Sequence, residues 1–569
     1  MKQGKRKQWI AWLFLTAILG VFLCGCANDA VGEPQTTVTE AASEEEMTRT
    51  EEEPIVLGNN SKTLMYFNDP GHISNQSPYN PSRSTVVTKE RLVSAVEEAT
   101  TAGFDVFVNE VYGMVPWYPS ELYSVEEHLD WFYNEYGGSG SNPFLTYTKN
   151  GNDFMKVQEE ATHEAGKLFF ISYRMNDHHG MNLLDNPSSA SVIWTSKFQV
   201  EHPEYRIKQV QNGFGLTQYM LDFQYEEVRE YKLAMIQELI NNYDIDGLLL
   251  DFLRSPAYFN LSTTTAEQRE QIITEFVAKV KAMLDAKSAQ TGKAYYFGVV
   301  IPLTDTINAD CGINVDMLYD AGVRIFTFWD YYMTVQDYDW LEEVKSDYPD
   351  IIAYAEVSQA TSYLPGSNPN QVRYTTKEQY YTSAYTAYAH GADGLAVFNF
   401  AFYRNWQYAA DPKLGNEPPF EIINDLKNTE LLKSAAQHYF IGHTYNYINY
   451  DFALNTAFLT ATKSMTFQMD MIPPEGGWTT DGILKLEATT DISNVTITVK
   501  VNGVTVAKTA YTGEPYNNPY EGLIGTAAQI QCFTVPSYLL ETGENTFEVT
   551  ADVSGNTAIQ LRFIDLAIQ

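Results

Sequence analysis

The sequence predicts an α/β protein, a (β/α)8 barrel of the TIM type followed by a C-terminal all-β sandwich of jelly-roll-like character. Three observations carry that prediction. A short apolar run rich in β-forming residues recurs eight times between residues 62 and 440, with helical stretches between the runs. Four helix-to-strand junctions end on glycine. Beyond residue 440 the hydrophobic period changes to two.

The eight runs are 64–67 (LMYF), 106–108 (VFV), 168–171 (LFFI), 247–250 (GLLL), 296–300 (YFGVV), 325–328 (IFTF), 351–354 (IIAY) and 395–398 (LAVF). They are apolar on both faces, as parallel strands covered by helices must be. Before the fourth run, Glu226 to Asn242 places Val228, Leu233, Ile236 and Ile240 on one side of a helix. Ala102-Gly103, Ala165-Gly166, Ala321-Gly322 and His390-Gly391 each close a helix just before a strand, where only glycine takes the left-handed turn cheaply. No G-x-G-x-x-G or Walker-type loop follows the first run, which removes the main reason to prefer an open doubly wound sheet.

A last helix is predicted near Glu421 to His438. Residues 466–469, 484–487 and 495–499 then alternate, and Asn502-Gly503 makes a hairpin turn into 504–506. Further strands around Cys532, Phe547 and Leu561 complete the sandwich. The predicted division is a signal segment at 1–25, an acidic linker at 26–61, the barrel at 62–440 and the sandwich at 441–569.

The N-terminus sets the compartment. Lys2, Lys5, Arg6 and Lys7 precede an apolar run from Trp9 to Leu23. Leu23-Cys24-Gly25-Cys26 then resembles the bacterial lipoprotein box, which implies cleavage before Cys26 and lipidation of its thiol. A plain secretory signal is the alternative, and the run is short for a full membrane span. The expected location is outside the cytoplasm, anchored to the cell membrane or surface through lipid alone. The linker is rich in Thr, Glu, Ser and Pro and reads as a solvated spacer. Only Cys311 and Cys532 remain in the folded part, in different predicted domains, so disulfides do not frame the structure.

The balance of 37 Lys plus Arg against 72 Asp plus Glu, a net charge of −35, argues against nucleic acid or anionic lipid as a partner of the folded part. The 39 Tyr, 30 Phe and 9 Trp serve large cores and sugar stacking alike.

In this fold, chemistry sits where the strands end and in the loops that follow. Polar residues expected there are Asn68 and Asp69, Asn109 and Glu110, then Arg174, Asn176, Asp177, His178 and His179. Further round the barrel come Asp251 and Arg254, Asp305, Trp329 and Asp330, Glu356 and Asn399. Two long loops, after the second and third strands, add Tyr112, Trp117, Tyr118, Trp131 and Trp194. The inferred mouth is acidic and aromatic, which suits a neutral polyol better than a phosphate.

Glycoside cleavage needs two carboxyls, one neutral to protonate the leaving oxygen and one ionised to attack or to activate water. Asp251 is expected to be the ionised one, its pKa held down by Arg254 and Arg174. Glu356, between apolar neighbours, is expected to be the acid, with Asp330 as its rival. Asn109, Glu110, Arg174, Asn176, Asp177, His178, Arg254 and Asn399 are the expected substrate contacts, with Trp117, Trp329 and Tyr331 as sugar platforms. Asp177-His178-His179 invites a metal reading, but adjacent histidines on an extended strand point to opposite faces and no third ligand follows at short spacing. No metal and no cofactor are expected.

One series of motifs carries a resemblance. ISYRMNDHH at 171–179, EHPEY at 201–205, LDF at 221–223 with Val228-Arg229, and YDIDGLLLDFLR at 243–254 follow in order. The series looks like the barrel family of bacterial glycosyl-hydrolase-like proteins labelled family-ten-glycosidase-like. The resemblance implies a barrel glycosidase with Arg174, Asn176, Asp177, Asp251 and Arg254 at its mouth, and brings no catalytic pair. The true family-ten xylanases carry an Asn-Glu pair on strand four, where this chain has Asp251-Phe252. The expected function is hydrolysis of O-glycosidic bonds in an oligo- or polysaccharide. The alternatives are a non-catalytic glycan-binding lipoprotein, or a polysaccharide lyase or deacetylase working through the strand-three cluster.

Overall fold

The computed structural model describes residues 54–75, 86–136, 142–177, 179, 181, 195–211, 215–302, 305–329, 338–364, 371–404, 416–442, 458–514, 525–555 and 557–569. Cys26, His178, Asp330, Tyr331 and Trp194 lie outside the described residues, as do the signal segment and most of the linker. No helix among the described residues is long and apolar enough to cross a membrane.

All eight predicted runs are strands of one closed parallel barrel. They are β1 (Thr63–Asn68), β2 (Val106–Tyr112), β3 (Leu168–Arg174), β4 (Gly247–Asp251), β5 (Tyr296–Pro302), β6 (Ile325–Trp329) and β7 (Ile352–Ser358). A hairpin of β8 (Ala360–Leu364) and β9 (Gln371–Tyr374) follows, and β10 (Gly394–Phe398) closes the ring between β7 and β1. Burial on both faces explains the unbroken apolar runs. Helices cover the outside, among them Lys89–Ala102, Phe154–Glu164, Glu226–Asn242, Ala266–Thr291 and Lys377–Ala389. Gly103, Gly166, Gly322 and Gly391, the four junction glycines, all have positive φ, from 69° to 115°.

Glycine does a second job inside the barrel. A Cβ on Gly394 would lie 2.1 Å from the Thr63 carbonyl and 2.5 Å from the Tyr354 ring. Its absence lets Tyr354 of β7 reach across β10 to Thr63 of β1, hydroxyl to hydroxyl at 2.6 Å.

The expected last helix is broken. Short helical turns at Ile423–Leu426 and Thr429–Leu432 give way to a strand, β11 (Gln437–Gly442), so His438 belongs to the sandwich. The remaining strands are β12 (Phe458–Leu459), β13 (Met465–Met471), β14 (Gly482–Ala488), β15 (Thr496–Val501), β16 (Val504–Thr505), β17 (Ala507–Thr509), β18 (Ile530–Val535), β19 (Gly543–Asp552) and β20 (Ile559–Ile568). They form two antiparallel sheets, β11–β20–β14–β18–β17 with β12 on β20, and β13–β19–β15–β16. Asn502 and Gly503, at φ 50° and 80°, make the predicted turn between β15 and β16. Between the sheets Leu484, Leu486, Ile564 and Leu566 meet Phe467 and Phe547, the last two stacked at 5.0 Å. Cys311 and Cys532 are both buried free thiols.

Candidate active site

Strand register decides which side chains can meet. Tyr112, Arg174, Asp251, Val300, Thr327 and Tyr354 follow one another as register partners from β2 to β7. Residues in register share one face of a sheet. That face is the lumen, because Trp329 touches Phe67 at 5.4 Å and Phe398 at 4.6 Å although β6 neighbours neither β1 nor β10. The period of two then places Glu110 on β2 and Glu356 on β7 in the lumen as well. Asn109 falls on the outer face, where its side-chain oxygen accepts from Asn68 at 3.1 Å, while His72 meets Asn68 at 2.7 Å. The pleat therefore turns Asn109 away from the mouth it was expected to line.

Arg174 is the hub, fully buried at the end of β3. Its guanidinium donates to Glu110 Oε2, to Asp69 Oδ2 at 3.3 Å and to Asp177 Oδ2 at 3.2 Å. It also lies 4.4 Å from the Tyr112 ring centre, a cation–π contact. Tyr112 donates its hydroxyl to Asp69 at 2.5 Å. Burial opposes the charge on Asp69, but Arg174, Tyr112 and the Gly71 N–H together hold its pKa below the usual value. Asp177 is held again by the N–H of His179 at 2.8 Å and by its ring.

Asp251 ends β4 beside this hub and is 1% exposed. Its Oδ1 accepts from the N–H groups of Leu253 at 3.0 Å and Arg254 at 2.8 Å, and its Oδ2 has no hydrogen-bond partner among the described residues. Arg174 and Arg254 were expected to depress its pKa. The structure gives the opposite sign: loss of solvent outweighs both cations and both N–H bonds and pushes it up to about 6.

Glu110 is equally buried, and its Oε1 has no hydrogen-bond partner among the described residues. Burial, with Asp69 and Asp251 adding repulsion, pushes its pKa up to about 8 despite Arg174 and Arg254. At neutral pH Glu110 therefore holds a proton and Asp251 has lost its own. The Glu110 proton belongs on Oε1, since Oε2 is taken by Arg174. A proton donor and a carboxylate thus flank one fixed cation in one lumen.

The other expected site residues divide. Asn176 is a latch: it donates to the carbonyls of Leu221 at 2.8 Å and Ala257 at 2.7 Å and accepts from the Leu221 N–H at 3.2 Å. Those three bonds tie the loops after β3 and β4 together and occupy the amide expected to bind substrate. Arg254 reaches the site through its backbone N–H and its charge on Asp251 and Glu110. Glu356 is fully buried on β7, level with Ala396 and one lumen step beyond Tyr354. Trp329 and Trp117 are not open platforms. Trp329 is wedged between Phe67 and Phe398, and Trp117 stacks on Phe144 at 5.1 Å and touches Tyr112 at 4.6 Å. Asn399 follows β10 with φ 53°, and Ser255 follows Arg254 with φ 68°, so backbone strain sits at two strand ends of the mouth.

Sequence reasoning missed Lys232. It lies on the helix Glu226–Asn242, is 1% exposed, and donates to the Gly113 carbonyl just after β2. Burial lowers its pKa to about 7. A lysine spaced among Val228, Leu233 and Ile236 on a barrel helix was the available signal. Among the described residues, no group of three or more His, Cys, Asp or Glu is placed to hold a metal ion.

No protein-family model matches the chain. A search of curated proteins returns no match. Solved structures similar to it include an α-amylase from Geobacillus thermoleovorans complexed with acarbose, at 11% identity and TM-score 0.37 over 89% of this chain and 98% of that one. A GH36 α-galactosidase, AgaA, from Geobacillus stearothermophilus matches at 10% identity and TM-score 0.33 over 90% and 56%. A glycoside hydrolase family 18 N-acetylglucosaminidase from Paenibacillus barengoltzii matches at 9% and 0.33 over 59% and 94%. Three further similar structures, a cycloisomaltooligosaccharide glucanotransferase and two α-galactosidases, are longer, and the chain spans only 54–57% of their length. Likeness at this level says nothing of substrate or catalytic residues.

Proposed function

We propose that the protein is a glycoside hydrolase, with Asp251 as nucleophile or base and Glu110 as the proton donor. One observation supports this above the rest. Two lumen carboxyls on either side of Arg174 have environments that separate their pKa values to about 6 and about 8. Each has one oxygen without a partner among the described residues, Asp251 Oδ2 and Glu110 Oε1. Glu110 Oε1–H protonates the leaving oxygen while Asp251 Oδ2 attacks the anomeric carbon or takes a proton from water. Glu356, the acid expected from the sequence, shares the lumen three strands further round and remains the alternative donor.

The experiment compares wild type with Asp251→Asn, Glu110→Gln and Glu356→Gln on a panel of plant, host and bacterial glycans in H2 18O. Wild-type products carrying one 18O per cut, absent with Asp251→Asn, support the reading. Equal products from wild type and Asp251→Asn remove Asp251 from the mechanism. An unsaturated product absorbing in the ultraviolet, or released acetate without chain shortening, replaces the hydrolase by a lyase or a deacetylase. Ligand binding without turnover makes it a glycan-binding protein. We also propose that Cys26 carries a lipid that tethers the protein outside the cytoplasm. Labelled fatty acid should then enter wild type and not Cys26→Ala.

A further inference from the structure

The outer face of the larger C-terminal sheet is where an ordinary sandwich meets water. On β14, Leu484 and Leu486 face the sandwich core, so Lys485 and Glu487 point the other way, yet both are fully buried. Asp565 of β20 and His438 of β11 are buried on the same face. The hairpin β8–β9, which leaves the barrel directly after β7, reaches this face through Arg373. Arg373 of β9 donates to Glu487 at 3.1 Å and Glu514 at 3.5 Å, and stacks 3.9 Å over Phe563. Lys485 pairs with Asp565 at 3.0 Å and with Glu514, while Arg562 and the Gly525 N–H hold Glu487. Three cations thus meet three carboxylates. His438, 3.5 Å from Asp565, is kept neutral by burial, and Lys485 overcomes burial to hold Asp565 at about 2.

The network connects back to the lumen. Thr361 Oγ1 donates to the Arg373 carbonyl at 3.2 Å. Thr375, two residues beyond Arg373, donates from Oγ1 to the Ser358 carbonyl at 2.7 Å and from N–H to the Gln359 carbonyl at 2.9 Å. Ser358 is two residues from Glu356. β11 approaches the hairpin so closely that a Cβ on Gly442 would lie 2.2 Å from the Thr361 carbonyl. The His438 N–H also donates to Thr382 of the next barrel helix at 2.7 Å.

We propose that the C-terminal sandwich is a clamp on the barrel mouth, with Arg373 a positioning residue that fixes the end of β7 and the carboxyl of Glu356 through the buried charges of β14 and β20. This gives the sandwich a role in shaping the site, and it rests on the hydrolase reading only for its effect on turnover. Removing Arg373 and Glu487 together leaves two cations, Lys485 and Arg562, against two carboxylates, Glu514 and Asp565, whereas removing one partner unbalances the buried charges. The test therefore uses Arg373→Met with Glu487→Gln alongside each single variant and Arg373→Lys. Hydrogen exchange is followed peptide by peptide, and kcat and KM are measured on 4-nitrophenyl glycosides that wild type cleaves.

The double variant should exchange at least about tenfold faster over 352–358 and 371–376, with β1 to β3 unchanged. kcat should fall more than KM rises, and Arg373→Lys should recover part of both. Unchanged exchange over 352–358 overturns the clamp, as does protection lost evenly throughout the barrel. Faster exchange with kcat intact overturns the positioning role of Arg373. If wild type cleaves no glycoside, the hydrolase reading has failed, and the exchange data decide the clamp by themselves.

Discussion

Glu110→Gln is the substitution that isolates the central claim, because glutamine copies the protonated acid in shape and keeps an oxygen for Arg174. Glu110 rises from a carboxyl value of 4.5 to about 8 on folding. The folded state therefore binds the proton more tightly than the unfolded chain. Stability from this group is complete below pH 4.5 and is lost as pH climbs toward 8. Each pH unit in that window removes about 1.4 kcal/mol, so wild type loses about 2.5 kcal/mol from this source between pH 5 and 7. Glutamine has no proton to lose. The stability advantage of Glu110→Gln over wild type should grow by that amount across the same interval, other groups being common to both. Urea unfolding at pH 5, 6 and 7, followed by tryptophan fluorescence, measures it without any substrate. A difference that stays flat from pH 5 to 7 would mean that Glu110 is ionised in the fold, and the assignment of the proton donor would be wrong.

On a glycan or aryl glycoside that is turned over, kcat/KM should rise as Asp251 loses its proton near 6 and fall as Glu110 loses its own near 8. Glu110→Gln should remove the alkaline limb and spare substrates with good leaving groups, which a pH series on dinitrophenyl glycosides would show. Asn176→Ala strands the Leu221 N–H and two carbonyls. It should cost about 2–4 kcal/mol and open 215–224 and 255–260 to exchange, seen by denaturant titration and mass spectrometry. Gly394→Ala drives a methyl into the Thr63 carbonyl and the Tyr354 ring. Loss of about 3 kcal/mol or failure to accumulate soluble protein is expected, and wild-type stability in that variant would contradict the packing described for the lumen.

The barrel was legible because its strands are buried on both faces, which writes them as unbroken apolar runs, and because glycine marks where helices stop. The interface with the sandwich was not. Residues 484–487 alternate apolar and charged, the pattern of a sheet with one wet face, and nothing local shows that Lys485 and Glu487 are buried, or that Arg373, more than a hundred residues earlier, pairs with Glu487. The end of the barrel was misread for a related reason. Helical turns at 423–432 and the strand at 437–442 are short apolar stretches that periodicity does not separate. Asn109 and Glu110 were both collected at the second strand end, but adjacent residues face opposite ways, and the lumen side follows only from register.

The sign of the Asp251 shift shows what a sequence withholds about a charged site. Two arginines were foreseen near Asp251, and two arginines are there. Nothing in the spacing revealed that Arg174 is already shared among Asp69, Glu110 and Asp177, each by a direct hydrogen bond. Arg174 and Arg254 still attract the Asp251 carboxylate, but the cost of taking it out of water exceeds both attractions and both N–H bonds. Burial therefore wins at Asp251, and wins by more at Glu110, which also faces Asp69 and Asp251. An excess of carboxylates over cations in a dry lumen must be relieved by protons. Glu110 takes one most readily, and carries it on Oε1, which no group among the described residues engages.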